Sequence, residues 1–330
     1  MKIAVAYNSP AAQVLQHRGP ASQEIYPPEN VQRIVDALRQ NEHEVAILEA
    51  DQRLIDRLEA FFGSVDASEW PGLVFNLSFG VQGELRYCHV PGVLEMLGLP
   101  YVGSGPMGHA LSSDKTAAKA IFRHEGLATP AFVEIHSRSF AEPGLGYPLI
   151  VKPVTGASSL GLWYVHDEAE LRVAVDENLT RFGEPVLVEQ FISGREFAVS
   201  IIGNDPPEAL PLVETVVDRG GPPVYSLEDK DGTAKRRLDL ICPARVSKKL
   251  EEHAREIGLR AYSALDCRDW ARVEMRLDRN QELQLLELNT IPGLGSRSSF
   301  PVAARAAGMG TLAAILQRLV EVAVSRYEAR

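Results

Sequence analysis

The sequence predicts an α/β protein whose first part is a doubly wound parallel sheet. Strand-like apolar runs alternate with segments of helical spacing over residues 1–100, and that alternation is typical of parallel sheets covered by helices. From residue 186 onwards the pattern turns β-rich. Because 330 residues exceed one typical domain, two or three packed units are expected.

The N-terminal elements can be taken in order along the chain. A strand is predicted at residues 2–7, and a helix follows with apolar residues at positions 31, 34, 35 and 38. Strands at residues 45–48 and 73–77 come next, then a short helix at residues 93–97 that Gly98 closes. The turn Asn8-Ser9-Pro10 lacks the glycines of a dinucleotide fingerprint, which disfavours a nicotinamide enzyme.

The rest of the chain carries further element signals. Asp114 is a good N-cap for a helix over residues 115–125, and residues 143–148 form a linker rich in Pro and Gly. Strands are predicted at residues 149–152, 160–165, 186–191 and 196–202. Ser247 caps another helix, and an amphipathic helix covers residues 311–324. The polar stretch from Asp218 to Asp239 is long enough that a functional or mobile role is expected.

Composition excludes several classes of function. The net charge of −10 and the pI near 5.4 disfavour broad contact with nucleic acid. No apolar run approaches the roughly 18 residues that cross a bilayer, and the start of the chain reads as a strand instead of a signal peptide. A cytoplasmic protein without membrane or nucleic-acid partners is therefore expected. Cys88, Cys242 and Cys267 lack metal-ligand spacing, so neither a disulfide framework nor a zinc site is indicated.

The strongest chemical signal is a predicted hairpin formed by residues 271–278 and 285–290. Arg272 and Glu274 share one face of the first strand, and Glu287 and Asn289 share a face of the second. A turn centred near residues 280–281 would place Glu274 opposite Glu287, an arrangement that favours Mg²⁺ carrying nucleotide phosphates. The alternative is a solvated strand face with incidental acids. The flanking Arg272 and the Gly- and Ser-rich segment 292–299 make that alternative weaker.

Two weaker constellations precede the hairpin. The loop at residues 153–161 is rich in small and hydroxyl residues and could bring backbone N–H groups onto phosphate oxygens, with Lys152 as a point charge. A plain hairpin with an exposed lysine explains it about equally well, and Lys115 could be a surface residue. Residues 189–192 could sandwich an adenine, and Glu196 could bind ribose hydroxyls. A core strand plus a surface acid is the favoured reading of that segment alone.

Together and in this order, these segments resemble the D-alanine–D-alanine ligase family of the ATP-grasp superfamily. The resemblance runs from about residue 73 to the C-terminus and is densest at residues 98–105 with Asp114 and Lys115, at 147–153 and at 286–301. It implies an N-terminal α/β domain over residues 1–106, a small central ATP-grasp subdomain over 107–185 and a C-terminal catalytic subdomain over 186–330. It also implies an ATP-dependent ligase that joins two amino-acid-like substrates through an acyl phosphate, with release of ADP and phosphate.

The resemblance also implies roles for individual residues. They are Lys115, Lys152, Ser158, Ser159 and Lys230 at the ATP phosphates; Glu189, Gln190, Phe191 and Ile192 at the adenine; Glu196 at the ribose; Glu274, Glu287 and Asn289 at Mg²⁺, with Mn²⁺ as an alternative; Arg272, Ser158 and the backbone of Gly293 at the reacting groups; and Ser298, Ser299 and Glu24 at the substrates. The family further suggests a homodimer.

Departures from the family pattern fall mostly where amino-acid substrates bind. The residue expected to be the first metal-binding aspartate is Glu274, the loop reads Gly156-Ala157 instead of Glu-Gly, the expected histidine is Phe79, and the tyrosine after the lid lysine is Asp231. Glu24 stands where an acid meets the ammonium of the first substrate.

Three hypotheses follow from this pattern. The chain is a D-alanine–D-alanine ligase for peptidoglycan precursors, a ligase for another substrate pair in specialised metabolism, or a nucleotide-binding regulator without catalysis. The acids and the arginine retained on the predicted hairpin disfavour the third hypothesis, because metal-binding acids have no use without phosphoryl chemistry.

Overall fold

The computed structural model describes residues 1–17, 24–63, 71–156, 160–183, 185–217 and 238–329. The predicted site residues Ser158, Ser159 and Lys230 lie outside these ranges, as does the departure at Asp231. The predicted irregular stretch from Asp218 to Asp239 also lies outside them, apart from its last two residues. Those two residues begin a strand instead of ending a loop.

A four-stranded parallel sheet forms the N-terminal part, as the sequence predicts. Its elements are β1 (Lys2–Tyr7), α1 (Pro28–Gln40), β2 (Glu44–Glu49), α2 (Leu54–Phe62), β3 (Leu73–Asn76), the 3₁₀ helix Arg86–Cys88, α3 (His89–Leu97) and β4 (Tyr101–Val102). The strand order is β2-β1-β3-β4, and all three pairings are parallel. Alternate residues of β1 enter two different cores. Ile3 and Val5 enter one core, and Ala4 and Ala6 enter the other. Both faces of the sheet are therefore covered.

A second, antiparallel sheet follows. The elements of this part are α4 (Pro106–Ser113), α5 (Lys115–His124), β5 (Phe132–Ile135), β6 (Leu149–Pro153), β7 (Trp163–Val165), α6 (Glu168–Phe182) and β8 (Val186–Gln190), with the strand order β5-β8-β6-β7. Asp114 caps α5 as predicted, accepting a hydrogen bond from the Ala117 amide. Strand β7 begins later than the predicted residue 160, because Gly161 adopts a φ of +70° and the chain turns there.

The largest sheet has six antiparallel strands. The elements of this part are β9 (Glu196–Ile202), β10 (Glu208–Ala209), β11 (Val213–Val217), β12 (Leu238–Ile241), α7 (Lys248–Ala264), β13 (Trp270–Leu277), β14 (Leu283–Asn289), α8 (Ser299–Ala306) and α9 (Leu312–Glu328). The order is β12-β11-β9-β13-β14, and β10 pairs with β9. Trp270, Phe300 and Leu319 join the same core as Ile3 and Val5, so this sheet and the N-terminal sheet share one hydrophobic core.

A buried polar junction ties the parts together at Asp269, directly before β13. Its carboxylate receives two hydrogen bonds of 2.9 Å from Arg326 on α9 and one of 2.8 Å from the Gly103 amide after β4. Asn204, in the turn after β9, donates a further bond of 2.9 Å. Buried charges of this kind are held by pairing and hydrogen bonding. Within the described ranges, no helix has the length and apolarity that crossing a membrane requires.

Candidate functional site

Strands β13 and β14 bring the predicted acidic residues together. Glu274 lies opposite Glu287, and Arg272 lies opposite Asn289. The Asn289 amide nitrogen is 3.3 Å from a Glu274 oxygen and 3.4 Å from a Glu287 oxygen, so all three side chains converge. The Arg272 guanidinium forms an ion pair with Glu274. The predicted pairing of the two glutamates is confirmed.

A β-bulge, which the sequence prediction did not include, produces this pairing. Leu277 pairs with Leu283 and Met275 with Leu285, but Glu274 then pairs with Glu287, so Leu286 is an extra residue on β14. A bulge shifts the alternation of side chains by one position. Leu283 and Leu285 are buried before the bulge and Leu288 is buried after it. The bulge therefore turns Glu287 and Asn289 towards the face that carries Glu274.

A buried charge cluster lies where α5 meets the four-stranded antiparallel sheet. The Glu189 carboxylate is 2.7 Å from the Lys119 amine and 2.6 Å from the Lys152 amine. Lys152 and Glu189 share a sheet face because their strands pair with an offset of two residues. The structure thus directs the Glu189 side chain towards two lysines.

The pKa values in this cluster follow from burial and from pairing. Burial lowers the pKa of Lys119 to about 8, against the attraction of Glu189. Burial alone would lower the pKa of Lys152, but Glu189, Glu287 and Glu274 outweigh it and raise that pKa. Burial alone would also raise the pKa of Glu189, whereas the two lysines outweigh it and lower that pKa. Lys152 is therefore a cation that faces the carboxylates of the hairpin.

Lys115 lies at the turn that follows β6. Its amine donates hydrogen bonds to the backbone oxygens of Val154, at 3.4 Å, and Gly156, at 2.5 Å, and its side chain is buried. The expectation of a simple surface lysine is therefore wrong. Gly156 has a φ of +89°, a conformation that favours glycine. The turn that begins the predicted phosphate loop is thus held by one of the three predicted phosphate lysines.

The segment predicted to bind adenine and ribose ends β8 and begins β9. The Phe191 ring contacts the Tyr164 ring at 4.8 Å between centroids, and the Arg276 guanidinium lies 4.8 Å from the Phe191 centroid. Arg276 also lies 3.7 Å from the Glu196 carboxylate. Gln190 is exposed and Ile192 is buried. An aromatic ring and two charged groups are therefore available at this end of the site.

The predicted substrate residues lie around the start of α8. Ser298 is the N-cap residue of α8, and its hydroxyl lies so near Gly293 that a Cβ there would be 2.9 Å from it. The next residue along the loop, Leu294, donates its amide hydrogen to the Tyr26 hydroxyl at 2.8 Å. Ser299 is buried in the first turn of the helix. Glu24 is buried beside Arg86, with which it forms an ion pair.

One cleft of about 1040 Å³ contains most of these groups. Its lining includes Lys115, Glu196, Arg272, Glu274, Glu287, Asn289, Gly293, Ser298, Ser299 and Glu24. It also includes Tyr26, Phe79, Tyr87, Arg33 and Arg297. The hairpin acids, a phosphate-turn lysine and the predicted substrate residues therefore share one space.

The donor set fits a magnesium ion that keeps phosphate and water ligands. Two carboxylates and one amide converge, all three are oxygen-bearing side chains, and a cationic arginine lies beside them. Mg²⁺ is commonly held by one or two carboxylates together with substrate phosphates. Among the described residues no group of three or more His, Cys, Asp and Glu side chains could hold a metal ion. The fit is therefore to a nucleotide-bound cation, since an all-protein cage would need more ligands.

Several residues of the site were missed from the sequence. Lys119 had a signal, because it stands four residues after Lys115 and so lies on the same face of α5. Arg86 had no signal in the sequence, because it contacts Glu24, which lies 62 residues away along the chain. The clustering of Tyr26, Phe79 and Tyr87 likewise needs the fold: adjacent ring centroids are 6.0 and 5.3 Å apart.

Comparisons with known proteins place the chain among ligases. The family model described as "D-ala D-ala ligase C-terminus" matches residues 121–321. The D-alanine–D-alanine ligase of Desulforudis audaxviator is 40% identical over 242 residues, covering 72% of this chain and 77% of that one. The uncharacterized protein y4sG of Sinorhizobium fredii is 37% identical over 331 residues, covering 99% and 98%.

A solved structure has a similar fold. The D-alanine–D-alanine ligase of Bacillus anthracis, complexed with ATP, matches with a TM-score of 0.75 at 24% identity, covering 100% of this chain and 98% of that one. At that identity the likeness shows the fold, which is the ATP-grasp fold predicted from the sequence.

Proposed function

The chain belongs to the D-alanine–D-alanine ligase family, and from that premise we propose how its own residues carry out the reaction. It is an ATP-dependent ligase that forms C–N bonds of the peptide type, and it uses Mg²⁺. The resemblance found in the sequence is thereby confirmed. The single observation that best supports the residue assignments is the convergence of Glu274, Glu287 and Asn289 beside Arg272 in the cleft.

The nucleotide is held from both ends of the site. Lys115 and Lys152 bind phosphate oxygens, together with the predicted Ser158, Ser159 and Lys230. Phe191 and its neighbours contact the adenine, and Glu196 binds the ribose. Glu274, Glu287 and Asn289 would hold Mg²⁺, which when bound neutralises phosphate charge and orients the triphosphate. The described lysines and the hairpin supply five of these groups from four elements, α5, β6, β13 and β14, so the site depends on the fold that brings these elements together.

The chemical steps follow from placing a carboxylic acid against the triphosphate. A carboxylate oxygen attacks the γ-phosphorus, the bond to the bridging oxygen breaks, and ADP leaves. The amine of the second substrate then attacks the acyl carbon and phosphate leaves. Arg272 and the Gly293 backbone stabilise the negative charge in both steps, and Ser298 and Ser299 bind the carboxylate of the amine-bearing substrate.

The substrates are small amino-acid-like molecules, and D-alanine is the first candidate for the one that supplies the amine. A homodimer in the cytoplasm completes the proposal. The exposed apolar side chains of Met96, Leu97 and Met107 on the contacting helices α3 and α4 support a dimer. Light scattering on the purified chain tests the oligomeric state.

An ADP-release screen tests the proposed function. D- and L-amino acids and the hydroxy acids of matching structure are supplied singly and in pairs with ATP and Mg²⁺, and ADP and the coupled product are measured. Turnover with D-alanine alone identifies a D-alanine–D-alanine ligase, and turnover with another pair identifies a ligase of the same type with other substrates. ATP binding without ADP formation under any condition would reject the ligase function.

A further inference from the structure

The Arg86–Glu24 ion pair is a buried charge pair at the wall of the cleft, which Glu24 lines. The Glu24 side chain is 1% exposed and the Arg86 side chain 14%. A Cβ built on Gly156 would lie 3.4 Å from an Arg86 nitrogen and 3.6 Å from a Glu24 oxygen. Because Gly156 also accepts the hydrogen bond from Lys115, the ion pair packs against the turn that begins the phosphate loop.

Three aromatic side chains form one wall beside this pair, and we call Tyr26, Phe79 and Tyr87 the aromatic wall. Tyr26 contacts Phe79, and Phe79 contacts Tyr87. Burial and the nearby Glu24 raise the pKa of Tyr87 well above its usual range, so its phenol stays neutral. The space next to the ion pair is therefore bounded by rings without formal charge.

Four carboxylates around the cleft have protein cations as neighbours. Glu24 pairs with Arg86, Glu274 pairs with Arg272, and Glu196 lies 3.7 Å from Arg276. Glu287 is one of the acids that raise the pKa of Lys152. A cationic ligand group entering here would approach acids that are already balanced, and beside Glu24 it would meet the positive charge of Arg86. Like charges brought together in a desolvated site disfavour binding.

We propose that Arg86 makes the acid subsite selective for a carboxylic acid without a free α-ammonium group, such as a hydroxy acid. This inference rests on the proposed ligase function and concerns the substrate whose carboxylate is activated. Bond changes occur at the carboxylate carbon and oxygen and at the γ-phosphorus, so the α-substituent takes no part in them. The pocket therefore selects the acid by the charge of its α-substituent, because Arg86 is already the counter-ion of Glu24.

A trapping assay separates this choice from the choice of amine. Hydroxylamine replaces the second substrate, attacks the acyl carbon and releases phosphate, so hydroxamate and ADP both report activation of the acid. Each enantiomer of alanine is compared with the lactate of the same chirality, a pair that differs in ammonium against hydroxyl. We expect kcat/KM for lactate to exceed that for alanine by at least about 10-fold in the wild-type protein.

Variants of Arg86 test whether its positive charge causes the preference for lactate. Arg86→Met removes the cation and leaves Glu24 able to bind an ammonium group, so the lactate-to-alanine ratio should fall at least about 10-fold, whereas Arg86→Lys should keep the wild-type ratio. Arg57→Met is the matched control, because Arg57 also pairs with an acid whose side chain is only 3% exposed, Asp51, and that acid, unlike Glu24, does not line the cleft. Calorimetric binding of lactate and alanine in the presence of ADP should show the same order, and melting curves report folding of each variant.

The outcomes separate the inference from the function on which it rests. A wild-type preference for alanine, or an Arg86→Met ratio equal to that of the wild type, overturns the inference and leaves the ligase function intact. If Arg86→Met does not fold, the inference is judged on the other two proteins. The wild type must prefer lactate, and Arg86→Lys must keep the wild-type ratio. Absence of ADP with every acid in the presence of hydroxylamine overturns the proposed function, and the inference with it.

Discussion

Arg272 is proposed to act between the metal site on the β13–β14 hairpin and the reacting groups. Its guanidinium pairs with Glu274 and lies opposite Asn289, so it has a fixed position beside the proposed cation. Lysine at this position keeps the charge but loses the planar fork of donors. We expect Arg272→Lys to lower kcat by about 10²-fold with a smaller change in KM for ATP. Steady-state ADP formation measures both constants, and an unchanged kcat would exclude the assigned role.

His109 is a fully buried imidazole behind the hairpin, with Nδ1 2.8 Å from the Thr290 hydroxyl. Burial lowers its pKa from 6.5 to about 4. Between these values the unfolded chain binds more protons than the folded one, so stability falls as the pH drops from 6.5 to 4, by up to about 3 kcal/mol. We expect His109→Asn to lose this part of the acid sensitivity. Urea unfolding from pH 7 to pH 4 measures it, and parallel curves for both proteins would contradict the assignment.

The residue scale also shows the limit of prediction from sequence. Glu274, Glu287 and Asn289 could be grouped because strand alternation and a short turn place them together. The Arg86–Glu24 pair could not, since no local periodicity relates residues on different elements. The same holds for the aromatic wall.

At the scale of elements, the β13–β14 hairpin was predicted with the correct glutamate pair but without its bulge. The turn lies closer to Asn280 than expected, and the extra residue Leu286 restores the pairing of Glu274 with Glu287. The sequence carried a sign of this: buried leucines at 283 and 285 give way to one at 288. The starts of α5 and α7 followed from their predicted caps, Asp114 and Ser247.

The hairpin turn itself is open to test at Gln281, which has a φ of +64°. Glycine adopts this conformation without steric cost, whereas a β-branched residue is strained there. We expect the free energy of unfolding to be highest for Gln281→Gly, intermediate for the wild type and lowest for Gln281→Val. The two variants should differ by about 1–2 kcal/mol. Denaturant unfolding gives the order. Equal stability of the Gly and Val variants would show that the turn has another conformation.

At the scale of the whole molecule, the Asp269 junction connects α9, the loop after β4 and the turn after β9. We expect Asp269→Ala to reduce the free energy of unfolding by about 3–5 kcal/mol, because the buried Arg326 loses its partner. The double variant with Arg326→Ala should lose clearly less than the sum of the two single losses. Thermal and denaturant unfolding provide the values, and strictly additive losses would show that the pair is not coupled.

The outline of the whole fold was predictable from the sequence, whereas the packing of its sheets on each other was not. Alternation of periodicities predicted the parallel sheet, and the family resemblance predicted the two-part ATP-grasp fold that follows it. The shared core of the N-terminal and six-stranded sheets was not predictable, since Ile3 and Trp270 meet only after both sheets form. The proposed boundaries at residues 106 and 185 stay a prediction.

Metal binding by the hairpin can be measured without turnover. Mn²⁺ is titrated into the protein with ADP, and free Mn²⁺ is followed by its EPR signal in the wild type, in Glu287→Gln and in Glu282→Gln, whose exposed carboxylate lies in the hairpin turn. We expect Glu287→Gln to weaken Mn²⁺ affinity by at least about 10-fold and Glu282→Gln to match the wild type. Equal Mn²⁺ affinity in all three proteins would contradict the assignment of Glu274, Glu287 and Asn289 as the cation site.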